Sequence, residues 1–263
     1  DRIKHSFSDS SNLQTLGLWV SALMAALVSV GYAKLFHLAE SVFHHILSHY
    51  RYAVLLVSPI FFILAWAIVR RYAPAASGGI PQIMAANEME YNIQNRATVD
   101  RLLSLRTAVI KIGSSLLCVA GGGAVGREGP TLQICTSIFH FFGKRVRRFA
   151  PNTGEHTWGV AGAAAGLASA FNTPLGGIVY AIEELGLVHF HKIRTALISG
   201  VIVSGLVAQW ILGSYLYFGF PALTSVRFSF LHIAVLNGVI TGLAGAAFGK
   251  LLLYWVKKRV ALR

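Results

Sequence analysis

The stretch AVGREGPTLQ, Ala124 to Gln133, decides how this chain reads. It sets Arg127 beside Glu128, between Gly126 and Gly129 and just ahead of Pro130, inside one of the most apolar regions of the sequence. An ionised side chain in such surroundings is costly unless polar or charged partners receive it. The neighbouring residues suggest what those partners are. Proline is tolerated where a helix begins, because the first backbone N–H groups have no intrahelical acceptor. The stretch therefore predicts a helix starting near Pro130, with an acid held between glycines at its entrance.

Outward from this stretch the chain stays apolar. Of its 263 residues, 55% are hydrophobic and 13% are charged, with a mean hydropathy of +0.60. Soluble domains carry about 25% charged residues, so the composition points to a membrane protein, and the expected fold class is an all-α integral membrane protein. Windows 16–33, 53–69, 104–126, 158–182, 195–213 and 228–256 are each long enough, or nearly so, to cross a bilayer, which takes about 20 residues. Residues 1–12 read as a polar cytoplasmic segment and 13–263 as one transmembrane domain. The first helix, from about Leu13 to His49, is longer than a perpendicular crossing and should tilt. A second crossing ends at Arg70-Arg71, and Pro74 closes it. Cys118 and Cys135 both fall in apolar helical runs and read as small core residues, not a disulfide or metal pair.

The net charge of +13 raises the question of nucleic acid, which the placement of the charges answers. When the apolar windows are threaded across a membrane, Arg70, Arg71, Arg96, Arg101, Arg106, Lys144, Arg145, Arg147, Arg148, Lys192, Arg194, Lys257, Lys258 and Arg259 share one face. The opposite connections hold only Arg51 and Arg227. This is the positive-inside distribution, with the basic face and both termini cytoplasmic. The expected partner is a lipid bilayer, in the manner of a bacterial inner-membrane protein, and not nucleic acid.

GREGP is not alone. SGGIPQI sets Gly78-Gly79 before Pro81, and FNTPLGG sets Asn172-Thr173 before Pro174. In each, turn or capping residues precede a proline where a helix would begin. Irregular backbone at membrane depth survives only where protein buries it or a cavity borders it. Helix N-termini carry partial positive charge, so starts inside a membrane suggest an anion site. The competing reading makes these ordinary loops at the membrane surface.

Together GREGP (126–130), SGGIP (77–81) and FNTPLGGIVYAIEE (171–184) resemble, in order and spacing, the CLC family of chloride channels and proton-coupled chloride exchangers. The likeness begins near residue 12 and covers what looks like the first half of a subunit. It implies broken, tilted helices forming one of two inverted halves, and a homodimer with a separate anion pathway in every subunit. The second half's motifs are absent here. The chain is therefore expected either to be a fragment or to be completed by another polypeptide. On that resemblance Gly78, Gly79, Ile80, Pro81, Gly126, Arg127, Gly129 and Pro130 surround the anion. Glu128 would be the gating glutamate, competing with chloride for one position and swinging away once protonated. Glu184 would be the internal glutamate that passes protons in exchangers, while its neighbour Glu183 faces a different environment. The plainer alternative makes both of these acids interfacial, balanced by Lys192 and Arg194.

One departure stands out. The family commonly has a serine where this chain has Gly78, so the hydroxyl that helps hold chloride is missing and the serine stands at Ser77. Lys111 aligns with a lysine often found in the family and would set positive potential near the pathway, or else snorkel to the interface. Arg127 reads as a packing and potential-setting residue more than as a ligand. His37, His44, His45 and His49 have helical spacing but no accompanying Cys or acid ligands, so no metal site is expected. His189 and His191 lie close enough in sequence to tune proton entry at Glu184. No catalytic dyad or nucleotide loop is present, and no cofactor is expected beyond the transported chloride (or another small anion) and protons. Three functions stand at this point: proton-coupled antiport, a passive channel gated by voltage or pH, and a non-transporting structural half-subunit.

Overall fold

The computed structural model describes the backbone of residues 2–76, 78–89, 95–148, 155–180, 183, 190–213 and 230–261. Side chains are described within these from Leu13 onward, except at 155–157, 180, 190–197 and 259–261. The elements among the described residues are helical: α1 (Arg2–His49), α2 (Val54–Tyr72), a 3-10 turn (Pro74–Ala76), α3 (Ile80–Met89), α4 (Arg96–Leu102), α5 (Leu105–Ala120), α6 (Glu128–Val146), α7 (Glu155–Phe171), α8 (Pro174–Tyr180), α9 (Phe190–Leu212) and α10 (Leu231–Ala261). Contacts divide the chain into two compact units, Asp1–Tyr215 and Leu216–Arg263.

Within the first unit α6 and α7 form the centre, and the sequence of α7 explains why. Gly162 and Gly166 sit four residues apart on one face. A Cβ at Gly162 would stand 2.8 Å from the Thr136 Cα, and one at Gly166 would stand 2.9 Å from the Leu132 Cα. Small residues in this register let two helix backbones approach closely, the packing route available where lipid removes the hydrophobic drive. The long helix α1 lies against α5, α6, α7 and α9. Tyr32, Phe36, Phe139, Trp158 and Cys135 fill the shared core. Between α7 and α9 the Ser169 and Ser204 hydroxyls meet at 2.6 Å.

Four described helical spans are long and apolar enough to cross a membrane: Leu13–His49, Val54–Tyr72, Arg96–Ala120 and Leu231–Lys258. In α2 only Ala65 is buried, while Leu55, Leu56, Ile60 and Ile63 point outward. The helix α1 starts at Arg2 rather than near Leu13. Hydropathy marks where the apolar span begins, and the polar residues before it continue the same helix. The window 158–182 is divided: α7 stops at Phe171, Asn172 turns with φ 56°, and α8 starts at Pro174. Asparagine is among the few residues that take this left-handed conformation readily. The second unit contributes α10, which is apolar all round and ends in basic residues.

Candidate anion site at two helix starts

The helix α3 begins where SGGIP predicts a start, with Ile80 first and Pro81 second. The Gly79 carbonyl accepts from Gln82 N and Ile83 N, each at 3.2 Å. In return the Gly79 N–H donates to Gln82 Oε1 at 2.5 Å. A glutamine at the third helical position reaching back to the capping residue is one half of a capping box. Behind the loop stands Lys111, only 7% exposed. Its Nζ donates to the Ala76 carbonyl at 2.8 Å and to the Gly78 carbonyl. Lys111 therefore does not snorkel. It ties the 76–78 backbone to α5.

The helix α6 begins at Glu128, two residues before Pro130. Arg127 precedes it and is 6% exposed. Its carbonyl accepts from Thr131 N at 3.0 Å and Thr131 Oγ1 at 2.7 Å. The Arg127 guanidinium donates from Nη2 to the Ala170 carbonyl at 3.3 Å, in the last turn of α7. A cation there complements the negative helix end. Glu128 is half-buried. Its carboxylate lies back over Gly126, where Oε2 takes the place a Cβ at 126 would need. Only a residue without a side chain leaves that space.

These two starts meet. A Cβ at Gly79 would lie 2.8 Å from the Gly129 carbonyl oxygen and 3.0 Å from its Cα, so the two backbones touch. Two helix N-termini thus converge with a buried ammonium behind one and a carboxylate on the other. Beside them opens a cavity of about 430 Å³. Lys111, Ser114 and Ser115 of α5, Gly126 and Pro130 of the second break, and Trp66 of α2 border it. The N–H groups of a helix's first turn lack intrahelical acceptors and favour negative charge. An anion or a carboxylate can satisfy them equally well.

The third break lies elsewhere in the fold. Pro174 of α8 packs over Gly205, its ring 2.6 Å from where a Cβ there would be, and α8 rests on α7 and α9. Glu184, Ser77 and His189 lie outside the described residues, as does the side chain of His191. Glu183 is exposed. His37, His44, His45 and His49 are also exposed, and no group of three or more metal-capable side chains occurs among the described residues. Cys118 and Cys135 are free thiols.

Sequence reasoning missed several residues that organise the site. Gln133 is fully buried, and its Nε2 donates to the Ala75 and Leu102 carbonyls at 3.0 and 3.2 Å, tying the 3-10 turn and α4 to α6. Asp100 receives His140 Nε2 at 2.8 Å and Lys144 Nζ at 2.7 Å, a second tie between α4 and α6. Ser114 and Ser115 were legible as a serine pair within an apolar helix. Gln82 was legible only as the third residue of a capped start.

Residues 60–262 match the voltage gated chloride channel family, and the chain belongs to it. Solved structures share the fold. A slow cyanobacterial Cl⁻/H⁺ antiporter matches at TM-score 0.66 and 23% identity, over 89% of this chain and 55% of that one. A eukaryotic CLC transporter matches at TM-score 0.64 and 22% identity, over 78% of this chain and 39% of that one. The chain thus spans little more than half of the antiporter's length. It is a membrane protein with the CLC fold.

Proposed function

We propose that this chain forms the first half of an anion pathway that exchanges chloride for protons, within a homodimer and together with the second half of a CLC core. The observation that carries the reading is the meeting of the α3 and α6 starts at Gly79 and Gly129, with the Glu128 carboxylate folded over Gly126 beside them. Backbone N–H groups of Ile80, Glu128 and Gly129 supply partial positive charge, and Lys111 adds a full charge behind the loop. An ionised Glu128 competes for these donors. Once neutral, it has less claim on them than a halide has, and it yields the position. Glu184 is the residue we assign to proton delivery from the cytoplasmic side, the side on which both chain termini lie. One solved structure of this fold is named as a Cl⁻/H⁺ antiporter, and that supports exchange over a passive channel.

The test is paired proton and chloride flux in liposomes, using the intact protein and two variants. Glu128→Ala should leave anion flux running without its pH dependence. Glu184→Gln keeps the size and hydrogen bonding of the carboxyl group but cannot carry a proton, so it should stop proton movement and spare anion flux. Chloride movement in wild type with no proton countermovement would make the protein a channel. Full coupling in Glu184→Gln would assign proton delivery to another residue.

A further inference from the structure

Gly78 has no side chain, and a neighbouring side chain occupies the space one would take. A Cβ built at Gly78 would meet Gln82 Oε1, Nε2 and Cδ as its three nearest neighbours. The side-chain amide of a residue one turn further along α3 thus occupies the space a side chain at 78 would take. Its orientation is fixed from one end, because Oε1 accepts the Gly79 N–H at 2.5 Å. The same amide carries two N–H donors on Nε2. Its backbone surroundings are fixed too, since the Gly78 carbonyl is held by Lys111 and Gly79 abuts Gly129.

We infer that Gln82 is the side-chain donor to the anion at this helix start, and so a determinant of which anion the protein prefers. The inference rests on the anion-site reading above and names a residue that reading did not include. The chemistry follows from the two ends of one amide. The oxygen anchors the group on the Gly79 N–H, so the amino end is held in place before an anion arrives and little rotamer freedom is lost on binding. A fixed N–H donor discriminates in favour of a small, strongly hydrated anion, which loses most when a hydrogen bond is missing. Chloride gains more from it than nitrate does. Gly78 is then part of the same device. Any side chain there would press on the amide, whose end is flexible and would be turned out of the site.

The experiment compares chloride and nitrate flux in liposomes for the intact protein, Gln82→Glu, Gln82→Ala, Gly78→Ser and the double variant Gly78→Ser/Gln82→Ala. Gln82→Glu keeps the length and the acceptor for the Gly79 N–H but replaces the amino group with oxygen and adds a negative charge, so it is read beside the neutral Gln82→Ala. Both Gln82 variants should lower the chloride-to-nitrate ratio, Gln82→Ala by about five-fold, the equivalent of roughly 1 kcal/mol for one neutral hydrogen bond. The double variant should return the ratio toward wild type, because the serine hydroxyl enters the vacated space. Gly78→Ser alone exchanges one donor for another and should stay near wild type. A ratio within two-fold of wild type in both Gln82 variants, with the pH response of flux still lost in Glu128→Ala, overturns the role of Gln82 and leaves the site reading standing. Flux whose pH response is untouched by Glu128→Ala would instead remove the site itself.

Discussion

Lys111→Met tests what fastens the first helix start. The substitution keeps the apolar stem and most of the volume, a change that cores tolerate well, and deletes the ammonium. Two carbonyls, Ala76 and Gly78, lose their side-chain donor in a site where Lys111 is only 7% exposed. A buried acceptor left unsatisfied costs about 1–3 kcal/mol, so the pair costs roughly 2–6 kcal/mol. Against this stands the desolvation of the ammonium, several kcal/mol in real proteins, part of which the variant recovers. The net expectation is a destabilisation of about 2 kcal/mol. At roughly 2–4 °C per kcal/mol for chains of this order of size, the thermal midpoint in detergent should fall by about 4–8 °C. Saturating chloride should restore less of that loss in the variant than it adds to wild type, because the loop that would present Ile80 to the anion is no longer held. An unchanged or higher midpoint would refute the reasoning. It would mean that desolvation outweighs the two hydrogen bonds and that Lys111 does not fasten the loop.

Further expectations come from the glycines and from the α4 tie. Gly79→Ala drives a methyl group against the Gly129 backbone at 2.8 Å, where no flexible side chain can give way. Overpacking of this kind costs about 1–3 kcal/mol, and chloride affinity by calorimetry should fall roughly ten-fold or more; unchanged affinity would separate the two helix starts from the anion. Gly126→Ala evicts the Glu128 carboxylate from its place, so anion flux should respond less to external pH than in wild type. A normal pH response would show that this placement of the carboxylate does not matter for gating. Asp100→Asn loosens α4 from α6 at a partly exposed contact, where ion pairs contribute about 0–1 kcal/mol. Its thermal midpoint should stay close to wild type, and a large fall would show the tie to be structurally central.

The helices themselves were legible because apolar length and proline position are local signals. GREGP and SGGIP announced helix starts, and α6 and α3 begin within two residues of their prolines. The crossing at 158–182 read as one window because Asn172 and Thr173 interrupt hydropathy too briefly to lower it, yet the left-handed turn at Asn172 divides it. The resemblance pointed to Glu128 and Lys111, but not to what each touches. That Lys111 donates to two loop carbonyls depends on α5 crossing behind the 3-10 turn, a contact between residues more than thirty positions apart. Gln82 escaped notice for the opposite reason. It lies in the motif's own first turn, and only the backbone geometry shows its amide lying over Gly78.

The claim at the centre of this account is that the starts of α3 and α6 frame an anion site. Bromide carries the charge of chloride and scatters anomalously, so crystals of the intact protein grown with bromide report the position of the ion directly. The account predicts an anomalous peak at the Gly79–Gly129 junction, within hydrogen-bonding distance of the Ile80 N–H and the Gln82 amide, and stronger occupancy in Glu128→Ala, where the competing carboxylate is gone. Bromide bound only elsewhere, in a protein that still conducts anions, would contradict it.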